Sequence, residues 1–187
     1  LDLSDTNNED NEDGMSGNLS SFAVDAAGNL YVSDYNNIYV LDAEGNVQFK
    51  LDGSQYNGSL NRLNAQQVGV MWYNYTDDVN AADENGQYFV PIDLETKDWG
   101  EKVKLPSNVW SILPGDDAYD FYYTYNNNIY GYAAKTDTKE KLVDWLACDV
   151  DTNNMSGYAM LSDSRVAALM QDWSTDPTPY QLIVLHR

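Results

Sequence analysis

The sequence has 187 residues, and 10 Lys and Arg against 30 Asp and Glu give it a formal net charge of −20. A surface this acidic repels phosphate backbones and anionic lipid, which excludes nucleic acid as a partner and disfavours binding to membrane surfaces. At 43% hydrophobic and 13% aromatic residues, the chain carries too much core-forming material for a disordered protein. We therefore expect a folded domain with a real core.

Residues 1–17 are acidic and contain no aromatic side chain, which predicts a disordered, solvated tether. After it the pattern changes to short β-rich runs separated by Asn, Asp and Gly. This alternation is typical of antiparallel strands joined by tight turns. The first four runs begin at Phe22, Leu30, Ile38 and Val47 and predict a complete four-stranded meander.

The meander recurs along the chain at a fixed spacing. Asn36–Tyr39 reappears as Asn127–Tyr130, 91 residues later, which is about two units of roughly 45 residues. Tyr158–Met160 matches Phe22–Val24 at an offset of 136, about three such units. A meander with this period is typical of β-propeller blades, because one meander cannot bury both of its faces alone. A β-sandwich is the alternative interpretation.

We predict an all-β, β-propeller-like array of about four antiparallel four-stranded blades, at about 18–52, 66–105, 108–147 and 155–187. The last blade lacks its fourth strand after Leu182–Leu185. An unpaired sheet edge invites pairing with another chain. We therefore expect a homodimer through this edge, a closing strand from the tether, or an assembly element that completes a larger propeller.

Cys148 and His186 are each alone in the sequence, which excludes a disulfide framework and a multi-cysteine zinc site. His186 follows an apolar run and is predicted to be a strand-end residue rather than a catalytic base. The sequence contains no Gly-rich phosphate loop, GxSxG elbow or HExxH motif. A non-enzymatic protein is predicted, with a metal-dependent propeller hydrolase or lactonase as the alternative.

Irregular loops rich in aromatic and amide side chains are the candidate ligand site. In a propeller blade, the loops between strands two and three lie on the same face as the loops between blades; here these are 74–87, 171–180 and 53–66. Aromatic rings beside amides suit stacking on a sugar or gripping a peptide, so we expect a glycan or protein ligand. The candidate ligand-binding residues are Tyr35, Asn36, Tyr56, Tyr75, Tyr125, Asn126 and Trp173.

A calcium site is a secondary hypothesis, because oxygen ligands alternate over 149–153 as in the first half of a calcium loop. The EF-hand pattern fails further on, since Asn154 stands where glycine is needed and Met160 where glutamate is needed. An ordinary acidic turn is the alternative, and no other cofactor is predicted. The candidate ligands are Asp149, Asp151 and Asn153, with a second acidic turn at Asp116, Asp117 and Asp120.

The run Asp25–Val32, followed by Ile38–Val47, resembles the blades of NHL-type propellers. Three further segments, Lys97–Gly100, Pro114–Tyr123 and Gln171–Ser174, are similar to propeller regions of secreted lipoproteins of anaerobic Gram-positive bacteria. In those proteins the propeller is often fused ahead of an extracellular solute-binding domain of a transporter. The resemblance implies an extracellular or cell-surface protein with a binding or spacing role, and it carries no catalytic residues across. The sequence has no membrane-spanning run, and we expect any signal peptide or lipid anchor to lie outside this chain.

Overall fold

The computed structural model describes residues 19–34, 36–77, 84–161, 165–174 and 176–185. The predicted tether at 1–17 lies outside these ranges, as do Tyr35 and His186. The chain divides into two compact units, with the boundary between Asn108 and Val109. No helix in the described ranges has the length and apolar character needed to cross a membrane.

The first sheet of the first unit is the meander that the sequence predicts. Its antiparallel strands pair in chain order, with Gly28 and Gly45 at φ of 88° and 87° in the two turns that need a left-handed residue. The strands are β1 (Leu19–Val24), β2 (Leu30–Asp34), β3 (Asn37–Leu41) and β4 (Val47–Asp52).

The second sheet begins earlier than predicted. Its first strand lies inside the stretch 53–66, which the sequence analysis interpreted as an inter-blade loop, and Leu60 pairs there with Val70. Three residues are too few to show a period of two, so this strand had no sequence signal. The strands are β5 (Leu60–Arg62), β6 (Val68–Asn74), β7 (Gly86–Asp93), β8 (Asp98–Trp99) and β9 (Val103–Lys104). Both β8 and β9 pair with β7.

The second unit contains two more antiparallel sheets, each again paired in chain order. The third sheet consists of β10 (Ser111–Pro114), β11 (Phe121–Tyr125), β12 (Asn128–Ala133) and β13 (Thr138–Asp144). The fourth consists of β14 (Met155–Met160), β15 (Val166–Gln171) and β16 (Tyr180–Leu185). The predicted fold class is confirmed, because the described residues form four blade-like antiparallel sheets and the last has three strands.

Strand pairing repeats with the sequence. In the first sheet Ser33 lies opposite Ile38, and in the third sheet Thr124 lies opposite Ile129, with both positions displaced by 91 residues. The register of the two central hairpins is therefore the same. A shift of one residue would turn every side chain to the opposite face of the sheet, so equal registers give equal buried faces.

Each unit buries its core between its own two sheets. In the first unit the core joins Tyr31, Ile38 and Val40 of the first sheet to Val70 and Val90 of the second. Strands β2 and β3 are buried at four of their five positions, whereas the outer strand β4 is mostly exposed. In the second unit the corresponding core includes Tyr122, Ile129, Trp145, Val166, Ala168 and Met170.

Candidate functional site

A cavity of about 250 Å³ lies within the second unit, beside the β11–β12 turn and the start of β14. We call it the Trp110 cavity. Its lining residues are all uncharged, although the protein as a whole carries a formal charge of −20. They are Trp110, Thr124, Asn127, Asn128, Trp145, Thr152, Met155, Ser156, Gly157 and Tyr158.

The β11–β12 turn forms one side of the cavity. Asn126 and Asn127 adopt φ of 47° and 58°, as a two-residue hairpin turn with both central residues left-handed requires. Asn tolerates this conformation better than other residues with a side chain, which explains the run of asparagines at this point. The turn places Tyr125 at the end of β11 and Asn128 at the start of β12.

Two tryptophans lie at different depths in the cavity. Trp110 is held by its backbone N–H, which donates to the Thr124 carbonyl at 2.9 Å, and its ring meets Tyr125 edge to face at 5.7 Å. Its side chain is still 59% exposed. Trp145 is buried, with its ring centroid 6.3 Å from that of Tyr158. The exposed Trp110 ring is therefore oriented by its neighbours and accessible to a ligand.

Three hydroxyl groups hold the strands beneath the cavity together. The Ser111 hydroxyl lies 2.8 Å from the Thr124 hydroxyl and 2.8 Å from the Tyr158 hydroxyl. Tyr158 also donates to Thr124 Oγ1 at 3.4 Å. These bonds join β10, β11 and β14, and they fix the backbone that carries the lining side chains.

Asn128 presents a hydrogen-bond acceptor that none of the described residues satisfies. Its Nδ2 donates to the Asn126 carbonyl at 2.7 Å, but its buried Oδ1 has no partner. A buried acceptor without a donor costs about 1–3 kcal/mol. Because this atom exposes less than 1 Å², a ligand hydroxyl or amide N–H would recover that cost only after the Asn128 side chain turns towards the cavity.

An ion pair between Lys141 and Asp144 lies beside this turn. Asp144 lies opposite Asn128 in the β12–β13 pairing, and the Lys141 ammonium donates to its Oδ2 at 2.8 Å. This hydrogen bond lowers the pKa of Asp144 and raises the pKa of Lys141. Both groups are therefore ionised at neutral pH as a pair, and their opposite charges compensate each other.

Of the predicted ligand residues, Tyr125 and Asn126 lie at the β11–β12 turn beside the Trp110 cavity, but neither is one of its lining residues. Trp173 lies in the turn after β15 and is 65% exposed. In the first unit, Tyr75 is exposed and donates its hydroxyl to Asp77 at 2.7 Å. Tyr35 lies outside the described residues.

Two predicted residues of the first unit have clear packing roles. Tyr56 is half-buried, and its ring meets Trp72 and Trp99 edge to face at 5.2 and 4.9 Å. It also borders a smaller cavity of about 180 Å³ within that unit. Asn36 donates its backbone N–H to Asp34 at 2.8 Å, and its carbonyl accepts from Gly53 at 2.7 Å. These contacts close the β2–β3 turn.

Three carboxylates of the calcium hypothesis accept hydrogen bonds from backbone N–H groups. Asp151 accepts from the backbone N–H of Asn153 at 3.0 Å and from its side chain at 2.9 Å, capping the 3-10 turn Thr152–Asn154. Asp116 accepts from Ala118 at 2.9 Å, and Asp120 from Ala134 at 2.7 Å. Within the described ranges, no three His, Cys, Asp or Glu side chains lie close enough to hold a metal ion.

Sequence reasoning missed Trp110, Asn128, Trp145 and Tyr158. The repeat itself held a signal for the first of these, because Trp110 falls 91 residues after Leu19 and Tyr125 falls 91 after Asp34. Leu19 and Asp34 lie opposite each other in the first sheet. The third sheet has two aromatic residues, Trp110 and Tyr125, at the positions that Leu19 and Asp34 occupy in the first sheet. This difference between the two blades was visible in the sequence.

No protein-family model and no curated protein matches the sequence. Among solved structures, the chain is similar to the extracellular domain of a one-component system from B. thetaiotaomicron, with 17% identity and a TM-score of 0.46. The similarity covers 95% of this chain and 23% of that one, so this chain spans less than a quarter of the neighbour's length. This structural neighbour is described as an extracellular domain.

Proposed function

We propose that the protein is a non-enzymatic recognition module that binds a neutral glycan in the Trp110 cavity. The observation that supports this best is the exposed Trp110 ring beside the uncharged amide and hydroxyl groups that line the cavity. A sugar ring offers an apolar C–H face to an aromatic ring and hydroxyl groups around its edge. The two sides of the cavity match these two features.

The size and charge of the cavity narrow the ligand. Pockets for drug-sized molecules measure about 300–1,000 Å³. At about 250 Å³ the Trp110 cavity fits a smaller group, such as one or two sugar units of a longer chain. A protein with a net charge of −20 repels uronic-acid and phosphate-bearing glycans at moderate salt, so we infer a neutral sugar.

Binding is tested by titrating the protein with a panel of neutral tetrasaccharides (cellulose, xylan, mannan, starch and chitin fragments) by calorimetry. We expect at least one of them to bind, and Trp110→Ala to weaken that binding about tenfold or more. Asn128→Ala should weaken it as well, because the cavity lining then loses an amide group that can hydrogen-bond to the sugar. If no member of the panel binds the unaltered protein, the proposal of a neutral glycan ligand is wrong.

Trp173→Ala is the matched control, since Trp173 is 65% exposed and Trp110 is 59% exposed. We expect Trp173→Ala to leave the affinity unchanged. Loss of binding in Trp173→Ala with full binding in Trp110→Ala would overturn the assignment of the cavity. It would place the ligand at the loop after β15, which is one of the three loops that the sequence analysis named.

We also propose that the module acts outside the cell, as the NHL-like propeller of a secreted lipoprotein that continues into a solute-binding domain. This proposal rests on the sequence resemblance of 25–47, 97–100, 114–123 and 171–174 to such propellers. The coding sequence on both sides of these 187 residues tests it. A lipoprotein signal upstream and a solute-binding domain downstream would support the proposal, and a cytoplasmic fusion partner would contradict it.

A further inference from the structure

Strand β16 has an unusual free edge. It pairs with β15 along all six residues, Val166–Gln171 against Tyr180–Leu185, without a register shift. On its other side it has no partner strand among the described residues. Its sequence, Tyr-Gln-Leu-Ile-Val-Leu, contains neither a charged residue nor proline.

The last strands of the other three sheets in chain order are protected, although the first strand β1 carries no charge either. Strand β4 carries Lys50 and Asp52, β13 carries two lysines and two acidic residues, and β8 and β9 have two residues each. Charged side chains and short length are the usual means by which proteins prevent a sheet edge from pairing with another chain. Strand β16 is long, regular and without either protection.

The side chains of β16 support the same conclusion. Tyr180, Leu182 and Val184 lie on one face of the strand and are 63%, 67% and 36% exposed. Leu169 of β15 lies opposite Leu182 and is also exposed. Ile183 and Leu185, on the other face, pack against the core of the second unit. The edge therefore continues into an exposed apolar surface.

We propose that a second copy of this chain pairs with β16, so that the two edges form one continuous antiparallel sheet. Two molecules of charge −20 repel each other, and they can approach most closely where neither presents a carboxylate. Strand β16 meets that condition. The first 13 residues of the chain hold six acidic residues, whereas β16 of a second copy holds none.

The pairing has one preferred register. In an antiparallel pair, residues opposite each other share a face, so a two-fold axis must pass through a residue facing its own copy. With the axis at Leu182, Tyr180 lies opposite Val184 of the second copy. An aromatic residue opposite a β-branched one is a favourable cross-strand pair. The proposal is independent of the Trp110 cavity, because it uses none of the cavity residues.

The first test measures molar mass over a range of concentrations by light scattering after size exclusion. We expect a species of twice the 21.1 kDa chain, which dissociates on dilution and becomes tighter with added salt as repulsion is screened. Leu182→Lys should abolish it, because two lysines would then face each other. Leu146→Lys is the matched control, since Leu146 is 71% exposed and lies in the turn after β13. It should leave the dimer intact.

The second test checks the register with cysteines in a Cys148→Ser background. Residues directly opposite each other have Cα atoms about 4.5–5.5 Å apart, within the range of about 4.4–6.8 Å that a disulfide needs. Leu182→Cys should therefore form a covalent dimer under mild oxidation. Val184→Cys should not, because two Val184 positions are offset by four residues, or about 13 Å.

Three results would overturn the proposal. If the protein is a monomer at every concentration up to about 1 mM, the proposed dimer is wrong, because its binding free energy would then be weaker than about 4 kcal/mol. A dimer that persists in Leu182→Lys and gives no Leu182→Cys product would use another surface. A monomer whose unfolding temperature falls in Leu182→Lys but not in Leu146→Lys would mean that the edge is covered from within the same chain.

Discussion

Tyr31 donates its phenolic hydroxyl to Oδ2 of Asp25 at 3.1 Å, across the turn that joins β1 to β2. Asp25 is only 6% exposed, and its Oδ1 accepts from the backbone N–H groups of Ala27 and Asn29, both at 2.9 Å. One carboxylate therefore closes the turn and ties it to a core strand. The negative charge is stabilised by donors rather than by a cation.

The same arrangement recurs 91 residues later, in the third sheet. Tyr122 donates its hydroxyl to Oδ2 of Asp116, and the Oδ1 of Asp116 accepts from Ala118 at 2.9 Å and Tyr119 at 3.3 Å. The repeat thus preserves a specific hydrogen-bonded turn as well as a strand pattern. Two blades that are 91 residues apart in the sequence therefore have the same local stabilisation.

Asp25→Asn should destabilise the protein at neutral pH by about 1–3 kcal/mol. The reason is that an amide has one acceptor oxygen and cannot accept hydrogen bonds from all the donors that converge on the two carboxylate oxygens. Burial tends to raise the pKa of Asp25, but the hydrogen bonds from Asn29, Tyr31 and Ala27 outweigh it and lower the pKa overall. A lowered pKa in the folded state stabilises the protein above the ordinary value of 3.8 and ceases to do so as the pH falls through the folded value. The difference in unfolding free energy between the two proteins should therefore shrink below pH 4.

Urea unfolding at pH 7 and at about pH 3 measures this difference. Asp42→Asn is the control, since Asp42 closes a similar turn, accepting from Asn46 at 2.8 Å, but on the exposed side of the sheet. It should cost less stability than Asp25→Asn at pH 7. Equal losses for Asp25→Asn at both pH values would contradict the assigned role of its charge.

Much of the blade architecture was predictable because its determinants are local. Strand alternation, turn residues and the 91-residue offset all appear within short windows of sequence, and the registers of the first and third sheets follow from them. Asp42 and Asp93 both close turns after the third strand of their sheets by accepting backbone N–H groups. Turn chemistry of this kind depends on neighbouring residues alone.

The Trp110 cavity was not predictable, because it depends on contacts between distant residues. Ser111 and Tyr158, whose hydroxyl groups meet beneath it, are 47 positions apart. The environment of Tyr56 also depends on distant residues, because its ring packs edge to face against Trp72 and Trp99. Sequence spacing does not show which loop aromatics return to the core.

Gly131→Ala should destabilise the second unit by about 1–3 kcal/mol through overpacking. A Cβ at Gly131 would lie 2.6 Å from the buried Tyr119 ring. At the 91-residue offset, Gly131 corresponds to Val40 and Tyr119 corresponds to Gly28. In the first sheet the glycine stands at the first of these two positions in chain order and the larger residue at the second, and in the third sheet the order is reversed. In the third sheet the Tyr119 ring therefore requires a small residue at position 131.

Thermal unfolding compares Gly131→Ala with Gly157→Ala, a strand glycine of the same unit whose added Cβ would meet nothing within 4 Å. Gly157→Ala should change stability by less than about 0.5 kcal/mol. If Gly131→Ala has the same unfolding temperature as Gly157→Ala, the Tyr119 ring moves aside at no cost and the predicted size constraint does not exist.

The three hydroxyl groups beneath the cavity should behave as one unit. Tyr158→Phe and Ser111→Ala should each cost about 1 kcal/mol, because each removes a partly buried hydrogen bond between strands. The double variant should cost less than their sum, since the first change already breaks the bond that the second would remove. Chemical denaturation of the four proteins gives the coupling energy directly.

Tyr75→Phe is the control, because the Tyr75 hydroxyl donates to Asp77 on an exposed loop. Its loss of unfolding free energy should be near zero. Strictly additive losses for Tyr158 and Ser111 would mean that the hydroxyls act independently, and the lining strands would then be held by their backbone pairing alone.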